Sequence, residues 1–273
     1  MNTAKKSAEI DVFAPVSLEP MTLPGGGIAS KQAVMIRDEE GVLRECGIVG
    51  ANYNLIENER VVESALEILR ETGLTFEERR TLWDGKRFAR RWVINGMDFT
   101  VDTEKGDLIR PTFDVYNSYD GSMAVGAAFN AERVACLNGM TIDFLLGGFQ
   151  FRHLGNNGEG KRELRDATER LMNLAPMLSD AKNRIVPLLE QKANVDDVRK
   201  YFEKTGLPAS IAYKVLMATP GKPDLTAWEL YNATTATLTE IGTFASEQWN
   251  RTCSSYFLAG IGRKLAQSDP ANN

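Results

Sequence analysis

Phe88-Ala89-Arg90-Arg91-Trp92-Val93-Ile94, Asp98-Phe99-Thr100-Val101, Thr112-Phe113-Asp114-Val115-Tyr116 and Met123-Ala124-Val125-Gly126-Ala127 are short runs rich in β-branched and aromatic residues. Asp84-Gly85, Asn95-Gly96, Lys105-Gly106 and Asp120-Gly121 separate them. Dipeptides of the Asn-Gly or Asp-Gly kind supply the positive φ angles of tight hairpin turns. The stretch from Leu74 to Phe129 therefore reads as an antiparallel meander of three or four strands. It decides the fold class, because strands joined this tightly cannot belong to a parallel, doubly wound nucleotide-binding sheet, which alternates strands with helices.

Upstream of the meander, Ala33-Val34-Met35-Ile36 and Gly47-Ile48-Val49 flank the acidic turn Asp38-Glu39-Glu40-Gly41, as the strands of a hairpin do. Glu57 to Thr72 carries Val61, Val62, Ala65, Leu66, Ile68 and Leu69 mostly on one helical face, and Gly73 follows where a helix stops. Residues 1–30 hold Pro15, Pro20, Pro24 and Gly25-Gly26-Gly27 without helical or alternating period, and read as a flexible arm. The glycine run lacks the lysine and the preceding strand of a phosphate loop.

Downstream, the period becomes helical over Lys161–Leu174, Asp180–Ala193, Val195–Lys204, Pro208–Ala218, Leu225–Phe244 and Glu247–Leu265. Thr205-Gly206-Leu207-Pro208 and Thr219-Pro220-Gly221-Lys222-Pro223 interrupt it. The expected fold is α+β: an N-terminal helix, an antiparallel meander, then a helical C-terminal half. The expected organisation is an arm over 1–30, a sheet with one amphipathic helix over 31–160, a helical region over 161–266 and a disordered tail over 267–273.

Composition narrows the chemistry. The 273 residues, with 43% hydrophobic and 25% charged, are those of an ordinary globular protein. One histidine and three scattered cysteines cannot supply the ligand sets that zinc usually takes, and no HExxH, GxSxG or DxDxDG pattern is present. No cofactor is implied, and a carboxylate-held metal enzyme is a distant reading. An odd, unpaired set of cysteines and an N-terminus without a secretory apolar run suggest a cytoplasmic protein.

The charge is unevenly distributed. Residues 1–150 hold 16 Lys and Arg against 23 Asp and Glu, whereas residues 151–273 hold 16 against 14. Within the acidic half, Arg79, Arg80, Lys86, Arg87, Arg90 and Arg91 face only Asp84 between Arg79 and Trp92, interleaved with Trp83, Phe88 and Trp92. Single-stranded nucleic acid is held by cations along its phosphates and by rings that stack on bases at about 1–3 kcal/mol each. Arg87, Arg90 and Arg91 are candidates for the first task, Phe88 and Trp92 for the second. The same pattern also suits a solvated hairpin whose rings fill the core. A second candidate is the glycine-rich run Phe149 to Arg162, in which Phe151 could stack while Arg152, His153, Lys161 and Arg162 meet phosphates beside a helix N-terminus.

Three segments carry a resemblance: Asn117-Ser118-Tyr119-Asp120-Gly121-Ser122 running on to Arg133-Val134-Ala135-Cys136-Leu137-Asn138-Gly139, then Phe151-Arg152-His153, then Trp228-Glu229-Leu230-Tyr231-Asn232-Ala233-Thr234-Thr235. Together they resemble the phage- and plasmid-borne family known as domain of unknown function 932, over roughly residues 45–245. The resemblance implies a mobile-element setting and an α+β fold, and transfers no catalytic residue. The order of helix, meander and helix also looks like that of single-strand annealing recombinases, an analogy of fold alone. The leading expectation is a non-catalytic protein that binds single-stranded DNA and promotes annealing or recombination as a homo-oligomer. The competing expectation is a phage or plasmid module that binds a host protein through its arm and acidic surface.

Overall fold

The computed structural model describes residues 10–102, 107–133, 140–142, 148–151, 174–219 and 225–267. The chain divides into two compact units: residues 1–92, 113–128 and 148–172 form one, and residues 93–112, 129–147 and 173–273 the other.

In the first unit, β1 (Val16–Thr22), β2 (Ile28–Arg37) and β3 (Leu43–Gly50) form a three-stranded antiparallel sheet in that order. Three strands thus precede α1 (Asn58–Glu71), which corrects the expectation that a helix leads the fold. Much of the expected flexible arm is ordered sheet: Val16 pairs with Ile36 and Leu18 with Val34. Val16 and Leu18 pack against a core of Val34, Ile36, Cys46, Val49 and Tyr119, and that burial outweighs the poor strand propensity of the prolines. Pro20 lies on β1, an edge strand, where a missing N–H is tolerated. Gly25 and Gly26 take φ of 99° and 90° and close the β1–β2 hairpin, with Gly26 N–H donating to the Leu23 carbonyl.

The α1 helix buries Val61, Val62, Ala65, Ile68 and Leu69, the stripe its spacing predicts, and Gly73 at φ 68° ends it. Then come β4 (Phe76–Trp83), β5 (Arg87–Ile94), β6 (Phe99–Asp102), β7 (Asp107–Ser118), β8 (Val125–Arg133), β9 (Met140–Ile142) and β10 (Gly148–Phe151). Their order across the larger sheet is β10-β8-β7-β5-β4, with β6 also paired to β7 and β9 to β8. The hairpin glycines Gly85, Gly96 and Gly121 have φ of 86°, 82° and 72°, as the meander requires. The strand β4 is additional to the sequence reading, because Glu77-Glu78-Arg79-Arg80 hides its apolar alternation.

The second unit contains the helices α2 (Leu174–Glu190), α3 (Val195–Thr205), α4 (Ala209–Ala218), α5 (Ala227–Ile241) and α6 (Phe244–Gln267). Its core joins Ile109 and Ala131 from the strands to Ile185, Tyr201, Val215, Trp228, Tyr231, Leu238 and Phe257 from the helices. Local chemistry fixes the helix ends. Asn194 and Thr226 each form a reciprocal capping box, with Asp197 and Glu229 respectively. Gly206 and Gly242 terminate α3 and α5 in the left-handed conformation. Most of the expected helix over Lys161–Leu174 and of the tail over 267–273 lies outside the described residues.

Candidate nucleic-acid interface

The arginine-bearing strand β5 lies between β7 and β4 rather than at an edge. That position explains the fate of its side chains. Phe88 is 0% and Trp92 3% exposed, the latter tilted against Phe113 at 6.5 Å between ring centroids. Neither ring offers a face on which a base could stack, so the base-stacking expectation for Phe88 and Trp92 is replaced by a core role. Arg91 is only 7% exposed and grips Asp114 of β7 with two donors, Nε to Oδ1 at 2.7 Å and Nη2 to Oδ2. Its charge is spent within the sheet, not held ready for a phosphate.

Of the other two arginines, Arg90 is also held within the protein, with a side chain only 13% exposed, and Arg87 is engaged more loosely. Arg90 donates from Nε to Thr81 Oγ1 at 2.9 Å, lies 3.4 Å from Glu78, and stacks its guanidinium over the Phe13 ring at 5.1 Å. Arg87 pairs with Asp84 across the hairpin turn through Nε at 2.8 Å and Nη2 at 2.7 Å. Its side chain is still 38% exposed, and such a pair is weak enough to exchange for another anion. The cations that face solvent most fully around the hairpin are Arg79 on β4 and Lys86 in the turn, with Arg80 half-buried beside them. Of the second candidate group, Phe151 ends β10 through its backbone pairing with Val125. Arg152, His153, Lys161 and Arg162 lie outside the described residues.

A family model described as "Domain of unknown function (DUF932)" matches residues 45–256. The chain belongs to this family. No curated protein and no solved structure matches it. The match begins within β3 and ends within α6, so β1 and β2 precede it.

In this DUF932 member the motif residues meet in two buried polar networks, a grouping that spacing along the chain does not reveal. The first is in the unit containing β1–β3. Asn117 Nδ2 donates to the Ile56 carbonyl and to Asn58 Oδ1, and the Asn58 N–H donates to the Tyr119 hydroxyl at 3.0 Å. Asn58 Nδ2 reaches the Val12 carbonyl, while the Tyr53 hydroxyl donates to the Ser118 carbonyl. Ser118 Oγ accepts from Met123 N–H and donates to its carbonyl, which closes the turn. The motif thus fastens the chain before β1, the start of α1 and the β7–β8 turn together.

The second network occupies the helical unit. Trp228 Nε1 donates to Asp107 Oδ2 at 2.8 Å, and Arg133 Nε donates to Asp107 Oδ1 at 2.8 Å. The Arg133 guanidinium also lies 6.0 Å over the Trp228 ring. Asp107 is thereby satisfied on both oxygens deep in the unit, the arrangement a buried carboxylate requires. Both networks fasten elements together and leave no reacting group exposed.

Burial pushes the Cys46 and Cys253 thiols up to about 11, so neither is a nucleophilic thiolate at neutral pH. Among the described residues no three His, Cys, Asp or Glu side chains gather to hold a metal ion. No helix among them is long and apolar enough to cross a membrane.

Proposed function

We propose that this DUF932 protein binds single-stranded DNA through its phosphates and promotes annealing or recombination without catalysis, as a homo-oligomer in a phage or plasmid setting. The observation that supports the reading is the cationic strip of the β4–β5 hairpin. Arg79 and Lys86 are exposed and Arg80 and Arg87 half-exposed, beside the exposed carboxylates Glu77, Glu78 and Asp84, of which Glu78 and Asp84 pair with Arg90 and Arg87, within a 150-residue stretch that is otherwise strongly acidic. The strip supplies charge without rings, which fits non-specific backbone binding.

The test is fluorescence anisotropy of a labelled oligothymidylate at several salt concentrations, with particle size measured alongside. Replacing Arg79, Arg80 and Lys86 by alanine removes three phosphate contacts. The slope of log affinity against log salt should flatten by about 2 in the single-strand case. Unchanged affinity and slope in the folded triple variant would overturn the proposal.

A second reading, a module that binds a host protein, has its own support. Phe13, Leu23, Ile28, Val42, Leu43 and Ile48, all within the first 48 residues, are exposed large apolar side chains. Capture of a host protein that survives nuclease treatment would favour it.

A further inference from the structure

The interior of the helical unit is polar. Thr205, Thr234, Ser254 and Asn250 are buried there among Tyr201, Tyr231, Cys253 and Phe257. Most of their hydroxyls are satisfied within the protein. Thr205 Oγ1 donates to the Tyr201 carbonyl at 2.8 Å, Thr234 Oγ1 donates to the Leu230 carbonyl at 2.8 Å, and the Tyr231 hydroxyl meets Ser254 Oγ at 2.7 Å. Two groups are left over. Asn250 is 0% exposed, and neither its Oδ1 nor its Nδ2 has a hydrogen-bond partner among the described residues. The Tyr201 hydroxyl, on a side chain 1% exposed, lies beside Thr234 and Cys253 and completes a hydrogen bond with neither.

The two groups belong to one place in the unit. Gly242 and Thr243 alone join α5 to α6, so these helices run antiparallel, and the Tyr231–Ser254 bond marks their register. One turn from Ser254 toward the connection, Asn250 comes level with the turn of α5 that carries Thr234. Three residues beyond Asn250, Cys253 shares its face of α6 and neighbours Tyr201 and Thr205 of α3. The helix α6 packs on both α5 and α3. Asn232 and Thr239 also carry unpartnered oxygens, but they share a stripe of α5 with Trp228, which turns toward Asp107.

We infer that the junction of α3, α5 and α6 is a bound-water site, in which water bridges the Asn250 amide to the Tyr201 hydroxyl. An amide sealed from solvent with both ends idle is strongly unfavourable. The amide and the phenol each donate and accept, and water answers both functions. A buried water typically makes about three hydrogen bonds, and Thr234 Oγ1, its hydrogen committed to Leu230, keeps a lone pair for the third. Every side chain named at the junction is neutral, so an ion there would lose its hydration without gaining a counter-charge.

The experiment uses the full chain with nitrogen-15 in its asparagine side chains and reads nuclear Overhauser cross-peaks between amide protons and water. The Asn250 side-chain signal, assigned through its own backbone, should show a cross-peak with the sign of slowly exchanging water. Tyr201→Phe deletes one oxygen and keeps the ring, so it should weaken or abolish that cross-peak. The same variant should lower the melting temperature by about 2–4 °C, the shift expected for one lost hydrogen bond in a chain of this size. Absence of the cross-peak in the parent would overturn the site. A cross-peak unchanged in Tyr201→Phe would overturn the bridge. A melting temperature unchanged or raised in Tyr201→Phe would show the hydroxyl to be dry and would overturn it as well.

Discussion

The Arg91–Asp114 pair gives the sharpest test of the structure, because it decides whether an arginine of the basic cluster belongs to a ligand or to the core. Asp114→Ala removes the carboxylate and leaves a guanidinium only 7% exposed between β5 and β7 without its bidentate acceptor. Removing one partner of a buried ion pair costs about 3–5 kcal/mol, since the remaining charge stays desolvated. The double variant Arg91→Met, Asp114→Leu removes both charges and keeps much of the volume, so it should regain most of that loss, to within about 1 kcal/mol of the parent. The assay is urea denaturation followed by tryptophan fluorescence and circular dichroism, with the interaction term taken from the double-mutant cycle. The double variant should also bind oligothymidylate like the parent. A loss below about 1 kcal/mol in Asp114→Ala would refute the reasoning, because the guanidinium would then be compensated by other partners or by water. Weakened DNA binding by a stable double variant would return Arg91 to the interface.

Two further outcomes follow from the first unit. A β-carbon added at Gly47 would lie 2.5 Å from the Asp120 Cα and 2.7 Å from its Cβ. Gly47→Ala should therefore destabilise by about 1–3 kcal/mol, measured by thermal melting, and a neutral result would contradict the close approach of β3 to the Asp120-Gly121 turn. Asp38 closes the β2–β3 hairpin by accepting from Arg44 Nε at 2.7 Å and from the Val42 N–H at 2.8 Å. The Arg44 hydrogen bond, with help from these backbone donors and against the effect of burial, holds its carboxyl below the usual range. The resulting stabilisation is complete above the unfolded carboxyl value and fades as the pH falls through the folded one. Asp38→Asn should therefore destabilise at pH 7 and differ less from the parent in acid. A pH-independent difference would refute the linkage.

The meander was legible because turn chemistry is local. Asp84-Gly85, Asn95-Gly96 and Asp120-Gly121 dictate reversals whatever surrounds them. The amphipathic stripe of α1 and the breaks at Gly206 and Thr219 were legible for the same reason. The strand β1 was not, since its prolines and glycines suggest a loop until β2 provides a partner for Val16 and Leu18. Nor were the positions of Arg91, Phe88 and Trp92 within the sheet. Their alternation fits an exposed hairpin and a central strand equally well, and the choice depends on β7 packing alongside.

The sequence by itself therefore determined which segments turn, which repeat with helical or strand period, and where positive charge concentrates along the chain. Tertiary structure alone decided which of those charges are spent. It paired Arg91 with Asp114 and Arg133 with Asp107, far apart in sequence, and placed Arg79 and Lys86 at the surface. The physical reason is that burial and ion pairing depend on which strands and helices become neighbours, whereas turns and periodicity depend only on residues a few positions apart.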